Sequence, residues 1–146
     1  MKLEPLFTVK ENKMFCIKDN SEFDLNALHK IEIKWSQVEL EPESYNEEFL
    51  AGLRDQLKVL DEKNEFAVLI PVVDKPLENA EQNEFFINAF NHTARRVKDC
   101  VSVAGFELPV QLASADDFID VLSVKHAQYI YFTKDKTIQN KSIVIY

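Results

Sequence analysis

The sequence predicts an α/β fold: a mostly parallel sheet with alternating helices and a β-hairpin at the N-terminal end. Three patterns carry this prediction. Two short apolar runs flank a polar turn near the start, amphipathic helix patterns are each followed by an apolar strand pattern, and the run Phe66 to Ile70 is apolar throughout rather than alternating. A chain of 146 residues is long enough to bury one core, so a single domain, 1–146, is expected.

The hairpin occupies 6–17. Leu6-Phe7-Thr8-Val9 and Met14-Phe15-Cys16-Ile17 lie on either side of Lys10-Glu11-Asn12-Lys13, the layout of two strands and a tight turn. Alternating strand and helix units follow over 29–132. In the first, Ile31 and Ile33 alternate with Glu32 and Lys34 ahead of Trp35, and the chain is expected to leave this strand into a loop at Glu39-Leu40-Glu41-Pro42. Ser44 and Glu47 have the spacing of a capping box and predict a helix from about Tyr45 to Glu62, with Phe49, Leu50, Leu53, Leu57 and Leu60 on one stripe. Phe66 to Ile70 is continuously apolar, which predicts a strand covered on both faces by helices. The cycle repeats with a helix over about Gln82 to Lys98 and a strand from Cys100 to Phe106. It repeats again with Ser114 as a cap, a helix through Phe118 and Leu122, and a strand over Tyr129 to Phe132. The segment 142–146 is a candidate terminal strand.

Composition excludes several functions. Lys and Arg number 17 against 25 Asp and Glu, a formal charge of −8 that repels phosphate backbones and anionic lipids, so nucleic-acid and membrane partners are not expected. The start, Met1 to Pro5, lacks an apolar core of signal-peptide length, and the chain reads as soluble and cytoplasmic. Cys16 and Cys100 sit in apolar surroundings and are expected to be buried free thiols. With only Gly52 and Gly105, no glycine-rich phosphate loop exists, and His29, His92 and His126 show no zinc spacing, so no cofactor and no metal are expected. The alternative for Glu39, Glu41 and Glu43 is a loop that holds a hard cation; solvated charge is the expected reading.

Two ordered stretches carry a family resemblance. Lys30 to Leu50 holds Trp35, Glu41-Pro42, Tyr45-Asn46-Glu47-Glu48 and Phe49-Leu50 in the order seen around the second strand of cellulase-type barrels. Ala94-Arg95-Arg96-Val97-Lys98-Asp99, followed by Val103-Ala104-Gly105-Phe106-Glu107-Leu108, resembles their third helix and fourth strand. The chain therefore resembles, over about Phe7 to Phe132, the N-terminal half of family-five cellulases and mannanases of the retaining-glycosidase clan. The resemblance implies a partial, half-TIM-barrel sheet, with any site at the C-terminal ends of its strands.

Such enzymes use two carboxyl groups about 5 Å apart, one as acid and one as nucleophile. The family's spacing places Gln111 where the acid belongs and Val110 where its preceding Asn belongs, and the part that would carry the nucleophile has no counterpart. A carboxamide cannot transfer a proton at neutral pH. The candidate binding residues are Trp35, Glu107 and Gln111. Glu107 is either a relocated acid or a carboxylate that hydrogen-bonds neighbouring loops, and Trp35 is either a sugar-stacking platform or packing. A half-barrel exposes sheet edges and an apolar interior, which need cover from self-association, from the chain's own hairpin and the Ile143-Val144-Ile145 strand, or from another protein. The expected function is a non-catalytic protein-interaction or self-associating module, with an oligosaccharide-binding remnant or a weak glycoside hydrolase as alternatives. A fourth possibility is a doubly wound regulatory domain, which a strand order placing Phe66 to Ile70 at a sheet edge would favour.

Overall fold

The computed structural model describes residues 3–146, so the reading of the chain's start as free of a signal peptide falls partly outside the described residues, at Met1 and Lys2. Strands β1 (Phe7–Lys10) and β2 (Lys13–Cys16) form the expected antiparallel hairpin. Glu11 and Asn12 at its tip both take left-handed backbone angles, φ 51° and 64°, the conformation of a two-residue turn whose twist matches the strands. A single 3-10 turn at Leu25–Ala27 leads into β3 (His29–Lys34).

Past β3 the chain departs from expectation. The turn α1 (Trp35–Val38) is helical, and the anticipated loop is a small antiparallel pair, β4 (Glu39–Glu41) with β5 (Ser44–Tyr45). Ser44 is thus a strand residue, and the cap of α2 (Glu47–Lys63) is Asn46, whose side chain accepts from the Phe49 amide. Both are cap-forming residue types, and the β4–β5 pairing takes Ser44 out of reach of the helix start. After β6 (Ala67–Val72), Asn79 caps α3 (Ala80–Arg96), which begins and ends two residues earlier than the apolar stripe alone indicates. Strand β7 (Val103–Glu107) starts later than Cys100, because residues 97–102 turn back to enter the sheet. Ser114 caps α4 (Ala115–Ser123) as expected, with its hydroxyl accepting from the Asp117 amide, and β8 (Ile130–Thr133) and β9 (Val144–Ile145) complete the chain.

The main sheet has five strands in the order β3-β6-β7-β8-β9, every pair parallel. Neighbours in sequence are neighbours in space, and β6 lies between β3 and β7, so no reversal of strand order marks a doubly wound sheet. The helices occupy one face. Leu50, Leu53 and Leu57 of α2, Phe86 and Phe90 of α3, and Phe118 and Leu122 of α4 pack in one cluster with Ile33, Leu69, Phe106 and Tyr131 of the sheet.

The other face corrects the expectation that β6 is covered by helices on both sides. Val68, Ile70, Ala104, Ile130, Phe132 and Val144 face the hairpin, and with Phe7, Met14 and Leu28 they form a second core. Phe7 sets its ring edge-on to Phe23 and Phe66, with centroids at 5.4 and 4.9 Å. The β9 edge is closed by the hairpin tip. The Asn12 amide donates to Lys141 O, its carbonyl accepts from Ile145 N, and its side-chain amide donates to the carbonyls of Asn140 and Ile143. Among the ways of covering a half-barrel, the chain's own hairpin and terminal strand fill the face opposite the helices and one edge; among the described residues, β3 is the edge left unpaired.

Candidate functional site

The C-terminal ends of parallel strands are where this architecture collects functional groups. The three candidate residues lie there, in three different surroundings.

Trp35 follows β3 directly and is buried, 3% exposed, with its ring edge-on to Phe86 at 5.2 Å. Its indole donates to Glu39 Oε1 at 2.9 Å, and the Lys75 ammonium lies 5.2 Å from the ring centre. No face of the ring is open for a sugar, so Trp35 is packing and not a platform.

Glu39 is the residue whose role the sequence hides. It is 2% exposed rather than solvated. One oxygen takes the Trp35 indole, the other takes the Glu43 amide at 3.0 Å, and Lys75 reaches Oε1 at 3.7 Å and the Glu39 carbonyl at 2.6 Å. A buried carboxylate is tolerated when it is both paired and hydrogen-bonded, and here each requirement is met. Asp74, next to Lys75, accepts from the amide and the hydroxyl of Ser36. Adjacent residues thereby pin the loop after β6 to α1. The only advance signal is Glu39 and Trp35 at a four-residue spacing; Lys75 is 36 positions away.

Glu107 ends β7 and is half-buried on the hairpin side of the sheet. It accepts a short hydrogen bond, 2.6 Å, from the Tyr146 hydroxyl. Tyr146 is held by its amide on Thr133 O, by ring contact with Phe132 at 5.3 Å, and by the Lys30 ammonium 4.7 Å from its ring centre. Burial, and then the carboxylate of Glu107, push the phenol well above its ordinary pKa, so it stays a proton donor. Residues of β3, β7, β8 and the end of the chain thus converge on one phenol lying across the mouth of the sheet.

Gln111 shares nothing with that cluster. It is exposed and lines a groove of about 560 Å³ between α3 and α4, together with Ile87, Asn88, Asp117 and Val121. Two other carboxamides there, Asn79 and Asn83, are engaged in holding the fold: Asn79 caps α3, and Asn83 accepts from the Ala113 amide. Of the remaining candidates, His92 stacks on Tyr45 at 4.3 Å and bonds Glu47, while Cys100 is buried with its thiol pushed up to about 11 by burial. They form no dyad. Both cysteines are free, Cys16 half-buried and Cys100 buried. Among the described residues no cluster of three or more His, Cys, Asp or Glu is placed to hold a metal ion, and no helix is long and apolar enough to cross a membrane.

The sequence matches no protein-family model and no curated protein. Its structure does have neighbours. A GH5_18 protein from Bifidobacterium longum subsp. infantis superposes with a TM-score of 0.55 at 10% identity, over 77% of this chain and 36% of that one. The fold has the architecture of part of that neighbour's chain. GH5_18 from Bifidobacterium longum subsp. longum gives the same TM-score of 0.55 and the same coverages, 77% and 36%, at 12% identity. So does an alanine variant of that protein, in complex with Manβ1-4GlcNAc, again at 0.55 and 12%. This chain therefore spans about 36% of the length of these glycoside hydrolases, in line with a partial barrel. At such identities the likeness concerns architecture alone.

Proposed function

We propose that this chain is a non-catalytic half-barrel of glycosidase architecture that acts by association, with a second copy or with a protein partner. The observation that carries the reading is the Tyr146 hydroxyl on Glu107. A glycosidase acid must present its carboxyl to the leaving oxygen of a sugar, with a second carboxyl about 5 Å away. At this strand end a phenol of the same chain takes that place, and the hairpin fills the face beneath it. A cytoplasmic setting fits, because Cys16 and Cys100 would remain thiols there. The charge of −8 argues against nucleic acid and anionic membranes as partners. The test is incubation with β-linked gluco- and manno-oligosaccharides. No release of reducing ends is expected from the chain or from Tyr146→Phe, and hydrolysis that disappears in Glu107→Gln would overturn the reading.

One observation favours a second reading, an oligosaccharide-binding remnant. The α3–α4 groove presents the carboxamides of Asn88 and Gln111 beside apolar Ile87 and Val121, a mixture suited to sugar hydroxyls and ring faces. Titration calorimetry with the same oligosaccharides distinguishes it: heat that is lost in Gln111→Ala supports sugar binding, and silence across the set removes it.

A further inference from the structure

Strand β3 is the first strand of the sheet and, among the described residues, pairs only with β6, through His29 to Lys34. The hairpin ends at Cys16 and β3 begins at His29, so the intervening chain is too short to supply another strand and helix for its outer side. The His29 amide donates to Phe66 O, which turns the backbone groups of residues 29, 31 and 33 toward β6 and those of 30, 32 and 34 outward. Lys34 N is already bonded to Gln37 Oε1. What remains outward is the backbone of Lys30 and Glu32, flanking a half-buried Ile31.

We propose that this edge pairs antiparallel with β3 of a second copy, centred on Ile31, so that Lys30 of each copy lies opposite Glu32 of the other. This deepens the association reading above and rests on it. The register follows from charge and from free backbone groups. Centring on Glu32 sets Glu32 against itself and Lys30 against Lys34, and like charges directly opposite are unfavourable. Centring on Ile33 requires the Lys34 amide that Gln37 holds. Centring on Ile31 uses only free donors and acceptors, places both Lys-Glu pairs on the exposed side of the strand, and brings the two Ile31 side chains together on the helix side. Edge charges ordinarily discourage pairing with other chains. Here the alternation Lys30-Glu32-Lys34 disfavours the register centred on Glu32, and the Lys34 amide held by Gln37 disfavours the one centred on Ile33. Because the hairpin tip closes the β9 edge, such a contact gives a two-fold dimer and cannot propagate into a filament.

The experiment is sedimentation velocity with light scattering across a concentration series. A species of about twice 16.9 kDa is expected. Lys30→Glu and Glu32→Lys should each weaken association at least tenfold, the double exchange should restore it, and an equimolar mixture of the two single variants should form a heterodimer. Lys34→Glu should leave the dimer intact. Lys30 also sits over the Tyr146 ring, so Glu32→Lys is the cleaner arm, and thermal unfolding of each variant separates lost pairing from lost fold. A dimer indifferent to both single exchanges overturns the β3 pairing while leaving self-association standing. A monomer at every concentration overturns both. Hydrolysis in the assay described above bears only on the non-catalytic reading.

Discussion

A Cβ at Gly105 would be driven into the backbone carbonyl of Ile130 on the neighbouring strand, with no flexible side chain to yield. Gly105 lies directly opposite Ile130 in the β7–β8 ladder, and Gly105→Ala is expected to cost about 3 kcal/mol or more, read from the shift in urea midpoint. Two strand positions further on, Tyr146 and Glu107 set a different kind of constraint. Removing the hydroxyl in Tyr146→Phe leaves a half-buried carboxylate without that donor, a loss of about 1–2 kcal/mol. The pair also has a pH signature. An unfolded tyrosine loses its proton near its ordinary value of 10.0, whereas burial and Glu107 hold the Tyr146 proton to higher pH. The unfolded state therefore releases this proton first. Its contribution to stability is whole below pH 10 and falls as pH rises beyond it. Urea denaturation between pH 8 and 11 should show this decline in the native chain and a shallower one in Tyr146→Phe.

Among elements, the hairpin tip does more than connect β1 to β2, since Asn12 ties it to 140–145 through both backbone and side chain. Asn12→Gly keeps the left-handed backbone and loses the side-chain bonds, at about 1–2 kcal/mol. Asn12→Ala adds the penalty of a Cβ at φ 64°, about 1 kcal/mol more. The order Asn, Gly, Ala in denaturation midpoint is the expected result; Gly equal to Asn would mean that the clamp contributes nothing. The hairpin and all three long helices were legible in the sequence because each depends on local pattern: a polar turn between apolar runs, or an apolar stripe at three- and four-residue spacing. The start of α2 was less so, because Ser44 and Asn46 are both good caps and the choice is made by the brief β4–β5 pairing. Candidate sites fared worse. A lone Trp beside a strand end reads first as packing and Glu107 first as a hydrogen-bonding carboxylate, but nothing local names the partners: Phe86, Glu39 and Lys75 close around Trp35, and Tyr146, 39 residues later, folds onto Glu107. Such contacts are set by tertiary approach, which has no period in the sequence.

For the molecule as a whole, the parallel sheet is the shared floor of two cores, helices on one face and the hairpin on the other. Residues such as Leu69 and Ile70 are neighbours on β6 yet belong to different cores, so loosening one face disturbs the strand that the other requires. Phe7 tests this coupling. It is 6% exposed and anchors the hairpin against Phe23 and Phe66, so Phe7→Ala is expected to cost about 3–4 kcal/mol, a large share of a single domain's stability. Trp35 is the chain's one tryptophan and lies in the helix-side core, which makes its fluorescence a reporter of the face away from the substitution. If the two cores form one cooperative unit, Trp35 fluorescence and far-ultraviolet circular dichroism will move together in urea, at a lower midpoint than in the native chain. If the hairpin is only docked onto an independently stable sheet, an apolar dye will bind the uncovered Val68, Ile70 and Phe132 before Trp35 responds. The continuity of β6, β7 and β8 between the two clusters favours the first outcome. It also means that a half-barrel of this kind depends on its hairpin for folding as much as for concealment.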